Sequence, residues 1–297
     1  MAKGSVDQKK SAAMLRIEAK AEEVKNQDRR KDDPPEQMFL PGMDEVMRAM
    51  PNHIGRSSLY APVARGRRKF HQESVLASRT DAVITYTGEQ LDEADADLSY
   101  QLIYEARLHP LGAPEPVNRA ALLAALGRGE GKSQYDWLHR RMKAMTVATM
   151  FIEAKKPDGS TKYAIGKTEA FHILQRFFYD DGLQSYVYVL DPRWRAMFSN
   201  REYALLDWGK RLKIGRGQDM AKTLQRLVAT SSDPVQRYPL DWLKDKMQYT
   251  GRMRDFKIAL IASVAELVRL EIVLAGKIEL STKGKEQLRL DMKAPSA

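Results

Sequence analysis

Between residues 82 and 292 the chain runs twice through one order of elements: helix, turn, helix, then hairpin. No other feature of the sequence limits its fold so tightly. In the first pass, Val83-Ile84-Thr85-Tyr86-Thr87 reads as a strand closed by Gly88. Asp92, Glu93, Asp95 and Asp97 stand before an apolar-periodic helix over 98–109. Carboxylates suit a helix start, where they meet unpaired amides and the positive dipole end. Pro110 and Gly112 stop that helix. Helices follow over 118–126 and 133–145, separated by the turn Gly127-Arg128-Gly129-Glu130-Gly131. A β-branched apolar stretch over 146–154, a turn over 155–162 and strands over 163–173 and 184–190 complete the pass. In the second pass, helices are expected over 201–212, 220–229, 240–247 and 252–270. Strands are expected over 271–280 and 286–292, around Ser281-Thr282-Lys283-Gly284-Lys285.

This is the order of a winged helix-turn-helix unit. The expected fold class is α+β, with two tandem winged helix-turn-helix domains behind a flexible or helical N-terminal extension. The expected divisions are a charged tail or helix at 1–33, a linker at 34–80, and domains at 81–197 and 198–297. The linker holds a short apolar island between prolines, followed by a basic stretch that includes Arg48, Arg56, Arg65, Arg67, Arg68 and Lys69.

The chain has 49 Lys+Arg against 39 Asp+Glu, a net charge of +10, and no cysteine in 297 residues. The missing cysteines exclude a disulfide scaffold, a thiol nucleophile and a cysteine zinc site. No apolar run approaches the roughly 18 residues that a membrane span needs, and MAKGSVDQKK lacks the apolar core of a secretory signal. A cytoplasmic protein without membrane contact is the expectation. Its surplus of positive charge attracts polyanions, nucleic acid first among them.

The helix over 133–145 divides on a helical wheel. Leu138, Met142 and Met145 share one face, while Lys132, Ser133, Asp136, His139, Arg140 and Lys143 fall on the other. A recognition helix needs that division: apolar residues lock it to its domain, and donors reach bases and phosphates. Ser133 is expected to cap the helix, with Asp136 three residues on. Lys155, Lys156 and Lys162 crowd the tip of the next hairpin, as charge on a wing touching DNA would. In the second long helix Phe256, Leu260, Val264 and Leu267 face inward. Arg254, Lys257, Ile258 and Ile261 face outward, and Arg252 sits in the preceding turn, placed for a phosphate.

Catalysis finds little support. Gly131-Lys132-Ser133 ends like a phosphate-binding loop, but the first glycine of that motif would stand where Leu126 does, and a helix precedes the turn instead of a strand. A nucleotide hydrolase using this loop is the reading from another class, which a binding measurement with ATP decides. The five histidines form neither His-x-His nor His-x3-His. The four acidic residues before the helix over 98–109 have no further ligand at metal spacing. No cofactor, no metal and no enzymatic activity are expected.

Several stretches resemble the TrfA-type replication initiators of broad-host-range bacterial plasmids. They are Met47-Arg48-Ala49-Met50-Pro51-Asn52 with Arg56-Ser57 and Leu59, and Ile84-Thr85-Tyr86-Thr87-Gly88 with Leu91 and Asp97. Residues 135–150, with Leu138, Met150 and the preceding Leu126, match in type. So do Arg252, Arg254, Lys257, Glu266 and Leu267. The resemblance spans roughly residues 36–275. It implies two winged-helix domains that bind direct repeats (iterons) of double-stranded DNA at a plasmid origin. It also implies duplex opening, recruitment of the host replicative helicase and sliding clamp, and a homodimer in equilibrium with an active monomer. It implies no enzymatic activity. Gln37, Met38 and Leu40 stand where that family carries its clamp-binding peptide, with Pro41 in place of an aromatic residue. The alternative function is a winged-helix transcriptional repressor acting on its own operon.

Overall fold

A computed structural model describes residues 45–63, 68–156, 158–165, 170–180, 185–198 and 202–292. The expected tail at 1–33 and the peptide Gln37, Met38 and Leu40 lie outside the described residues. In chain order the first part runs β1 (Met47–Pro51), α1 (Asn52–Arg56), β2 (Phe70–Val75), β3 (Ala82–Glu89) and α2 (Glu93–Glu105). Next come β4 (Glu115–Asn118), α3 (Arg119–Ala125), α4 (Lys132–Val147), β5 (Thr149–Lys155), β6 (Thr161–Ile165) and β7 (Phe171–His172). Then follow β8 (Leu174–Asp180), β9 (Ser185–Leu190), α5 (Trp194–Phe198), β10 (Tyr203–Asp207) and α6 (Trp208–Lys213). The last part is α7 (Asp219–Val228), β11 (Val235–Pro239), α8 (Leu240–Lys246), α9 (Met253–Arg269), β12 (Ala275–Leu280) and β13 (Glu286–Asp291). Among the described residues no helix is long and apolar enough to cross a membrane.

Two three-stranded sheets share one plan. Their orders are β4–β9–β8 and β11–β13–β12, antiparallel throughout. Each belongs to a run of helix, strand, two helices and two strands: α2-β4-α3-α4-β8-β9 in one, α7-β11-α8-α9-β12-β13 in the other. The first run carries an insertion. Between α4 and β8 the chain makes β5, β6 and β7, which join β2 and β3 in a separate sheet of order β2–β3–β5–β6 with β7 also on β5.

That insertion corrects the hairpin assignment. The tip with Lys155, Lys156 and Lys162 follows α4 in sequence, but it belongs to the inserted sheet. The antiparallel pair on the sheet that the helices cover is β8–β9, and residues 181–184 between its strands lie outside the described residues. The cause is a long-range pairing. β3 and β5 each present alternate apolar residues, and they meet with Ile84 opposite Ile152 and Tyr86 opposite Met150. Local periodicity shows that a stretch is a strand but not which strand it will pair with.

The segment 34–80 is no mere linker where it is described. β1 pairs with β10 in register Met47 to Asp207 through Pro51 to Tyr203. Met50, Ile54, Leu59 and Tyr60 are wholly buried. The expected helix over 201–212 is consequently divided. Tyr203–Asp207 is taken into the strand pair, overriding its mild helical preference, and Asp207 then caps α6 by accepting from the Lys210 amide at 2.9 Å. One hydrophobic core extends from Ala49 to Trp208 and a second from Ile214 to Leu290. The change between cores thus falls within α6 and the residues after it, instead of at 197/198.

The acidic run does open a helix, but α2 starts five residues earlier than expected, so that only Asp92 precedes it and Glu93, Asp95 and Asp97 lie within it. Asp92 is the N-cap; its Oδ1 accepts from the Asp95 amide and Asp95 Oδ2 accepts from the Asp92 amide, both at 2.9 Å. The helix starts at Glu93 and ends at Glu105, followed by one 3-10 turn over Ala106–Leu108. It is buried around nearly its whole girth, polar first turn included.

Candidate nucleic-acid interface

The turn before α4 requires glycine. Gly127 has φ +64° and Gly131 has φ +136°, conformations that side chains with a Cβ resist. Gly131 is the N-cap, and its carbonyl accepts from the Gln134 and Tyr135 amides at 3.0 Å. Ser133 therefore does not cap the helix, a correction to the capping-box reading. The helix starts one residue earlier than expected, with Ser133 already in its exposed first turn.

Leu138, Met142 and Met145 are wholly buried and seat α4 on the core. Lys132, Ser133, Asp136, His139, Arg140 and Lys143 are all exposed, as the wheel predicts. Arg141, between the two faces, turns inward. Its guanidinium forks onto Asp95, with Nε–Oδ1 at 2.6 Å and Nη2–Oδ2 at 3.0 Å, and donates to Glu89 at 2.6 Å. Aromatic and basic groups border the exposed face. The Arg128 guanidinium lies 3.7 Å from the Trp137 ring centre, and the Arg119 guanidinium lies 4.2 Å from that of Tyr135. The His139 ring packs edge-on against Phe177 of β8.

α9 repeats the buried apolar face, but its exposed face mixes arginine with isoleucine. Phe256, Leu260, Val264 and Leu267 are buried, while Arg254, Ile258 and Ile261 are 85%, 66% and 42% exposed. Arg252, the N-cap residue, is exposed in the turn. Lys257 is half-buried and its Nζ is paired with Glu286 of β13 at 2.5 Å. The β12–β13 hairpin lies on this unit's own sheet, and Lys283 and Lys285 at its turn are exposed.

The inserted hairpin presents Lys155 and Lys156 to solvent. Lys162 is turned aside: it is half-buried and ion-paired with Glu202. Together these lysines border a cleft of about 530 Å³ that also holds His53, Asp81 and Glu202. Burial pushes the His53 pKa down, against the pull of Asp81 and Glu202.

Of the basic stretch 48–69, Lys69 is exposed, but Arg48, Arg56 and Arg68 turn inward. Arg48 is buried; its Nε donates to Gln101 at 2.8 Å, and its guanidinium lies 3.6 Å from the Tyr104 ring centre. Arg56 donates to Thr230 and Asp81, and Arg68 to Asp92 and Asp95. Long basic side chains can serve a core as readily as a surface when carboxylates and carbonyls await them.

The first turn of α2 holds the partners that sequence reasoning missed. Glu93, wholly buried, accepts from Arg211 of α6, Arg226 of α7 and the Thr223 hydroxyl, each at 2.7 Å. Asp97 pairs with Arg211 and with Lys222, the latter at 2.5 Å. Burial raises the Glu93 pKa, but Arg226 and Arg211 together outweigh it and bring the carboxyl down to about 2. Arg226 also donates to the carbonyls of Ile54, Gly55 and Tyr60. Lys246, wholly buried in α8, donates to those of Gly55 and Ser57. The acidic run was visible in the sequence; that its carboxylates reach cations over a hundred positions away was not.

A mixed α/β protein with two long helices that each bury one apolar face and leave the opposite face exposed defines a class. Domains 2 and 3 of RctB have this fold: two crystal structures of them match with TM-scores of 0.55 and 0.51, at 13% and 14% identity. Both matches cover 82% of this chain, and they take in 98% and 96% of those chains. The sequence model of the family described as TrfA protein matches residues 18–242, and the chain belongs to that family. The plasmid replication initiator protein TrfA of Escherichia coli is 25% identical over 202 residues, which are 66% of this chain and 49% of that protein. The chain thus spans about half the length of this relative.

Proposed function

We propose that this chain is a plasmid replication initiator whose two repeated runs are winged-helix units. In this reading α4 and α9 are their recognition helices, and they bind iteron repeats of double-stranded DNA at a plasmid origin. Phosphate neutralisation supplies affinity and base contacts supply specificity. The bound protein promotes duplex opening and recruits the host helicase and sliding clamp. It passes between homodimer and monomer, and it performs no chemistry of its own. The observation that carries the reading is the recurrence, in two units of the same strand order, of a long helix with one apolar face buried on its unit and the opposite face exposed, polar and basic on α4 and mixed arginine and isoleucine on α9. Membership of the TrfA family and the likeness to a plasmid replication initiator support it.

The test is binding of the pure protein to duplexes with the direct repeats of its own plasmid, across a salt series. Lys143→Ala is expected to weaken binding, and to lower the salt slope by about 0.9 if Lys143 contacts phosphate alone. Lys257→Ala is expected to weaken it less, because Lys257 must first leave Glu286. Wild-type affinity and slope in both variants would overturn these two contacts, and absence of repeat binding by the parent would overturn the function. For the clamp, Gln37→Ala is expected to abolish retention on immobilised sliding clamp while repeat binding persists. Unchanged retention removes the peptide from the proposal.

A further inference from the structure

One helical turn is joined to both exposed helices. On the side of α4, Asp95 receives the Arg141 guanidinium through two hydrogen bonds, and Arg68 pairs with the same carboxylate. Toward the second unit, Glu93 and Asp97 receive Arg211 of α6 and, from α7, Arg226, Thr223 and Lys222. α6 carries the connection on to the C-terminal end of α9. Lys210 Nζ donates to the Glu271 carbonyl at 2.9 Å, the Gly215 amide to Glu266 Oε1 at 3.0 Å, and Arg269 to the Lys213 carbonyl at 3.3 Å. At its other end α6 holds the end of α3, where Trp208 Nε1 donates to the Ala125 carbonyl at 3.1 Å. α7 meanwhile packs on α9 within the second core, through Leu224, Leu227, Leu260 and Val264 among others.

We propose that this turn of α2 is a spacing gauge, which holds α4 and α9 at one separation and rotational phase so that the two read DNA as a single rigid body. The inference rests on the reading of these helices as DNA readers. Its physical basis is direction. Apolar surfaces tolerate small slips, whereas buried charged hydrogen bonds are satisfied in one geometry and costly in any other. Glu93, Arg211 and Arg226 are fully buried, so no water stands ready to replace a displaced partner. Two buried polar clusters, one on each side and both anchored on the backbone of the same short stretch of helix, are what a mechanical coupling requires.

Because the chain lacks cysteine, the coupling can be measured directly. Val147→Cys at the end of α4 and Ala262→Cys on α9, both exposed, accept spin labels in the full chain without DNA. Double electron–electron resonance is expected to give one narrow distance distribution in the parent and a distribution at least about twice as broad in Glu93→Gln. Lys222→Ala, at a less buried position, is the second variant, with circular dichroism confirming that each is folded. Distributions as narrow as the parent's in both variants overturn the gauge.

A second arm uses DNA. Inserting half a helical turn of duplex between the stretches of a repeat that α4 and α9 would each contact is expected to cost the parent about tenfold in affinity or more. It is expected to cost the broadened variant distinctly less. A parent that tolerates the insertion overturns the two-helix reading of DNA, while the distance measurement still decides the gauge. A variant as sensitive as the parent overturns the gauge and leaves the DNA reading standing.

Discussion

Arg226→Met is expected to lower the stability of the folded chain by about 3–5 kcal/mol, read as a shift in the urea midpoint at neutral pH. Methionine fills much of the volume but restores none of the bonds. Glu93 is left with Arg211 and Thr223, and the carbonyls of Ile54 and Tyr60 lose the donor that Arg226 gives them. The effect has a pH signature. In the parent, Glu93 has a folded pKa of about 2 against an unfolded value of 4.5. A depressed carboxyl pKa contributes stability that is fully present above the unfolded value and is lost as pH falls toward the folded one. For Glu93 that contribution is roughly 3 kcal/mol, fading between about pH 4.5 and 2. With Arg226 gone the folded pKa rises, so the variant has less to lose. The gap between parent and variant therefore narrows as pH falls from 7 to 3. A gap that is constant over that range would show that Glu93 is not the partner through which Arg226 acts.

The double variant Arg140→Ala, Lys143→Ala is expected to weaken binding to the direct repeats by about 30-fold or more, if each side chain supplies a base or phosphate contact of ordinary size. Both side chains are exposed on α4, so the folded state should be nearly unchanged. Lys155→Ala, Lys156→Ala is the comparison. Those residues sit on the inserted sheet instead of on the sheet that α3 and α4 cover. Their loss is expected to reduce affinity for repeat and unrelated duplex alike, and so to leave the ratio between them unchanged. Equal loss of specificity in the two double variants would mean that the inserted hairpin reads sequence and that α4 is not the principal reader.

The contrast between those two sites marks how far the sequence could be read. The division of α4 was legible because it is local: side chains three and four apart share a face, whatever the rest of the chain does. The same holds for Phe256, Leu260, Val264 and Leu267 in α9. Partners were not legible, because pairing is a property of two distant segments. Met47–Pro51 has too few alternating apolar residues to announce a strand, and only Tyr203–Asp207 makes it one. The same limit hid the β3–β5 pairing that carries Lys155 and Lys156 onto a different sheet. Basic residues were the most deceptive. Arg140 and Arg141 are adjacent and chemically identical, yet one meets solvent and the other Asp95. The resemblance to plasmid initiators reached the family but said nothing of these contacts.

The pairing of β1 with β10 also orders events in time. A ribosome releases the chain from its N-terminus, and an element whose partner is still unmade must wait. β1 cannot close its sheet until residues 203–207 have emerged, and β4 cannot pair until β9 is made. The first unit therefore matures late although it is synthesised early. The second is built from a nearly continuous stretch, with β11, β12 and β13 all between residues 235 and 291, and its contacts are the more local ones. Its α7 is already complete when synthesis ends, ready to supply Arg226 and Lys222 to carboxylates made long before. Until residue 207 has emerged the half-made first unit carries unpaired strand edges, and it is the form that most needs protection from aggregation.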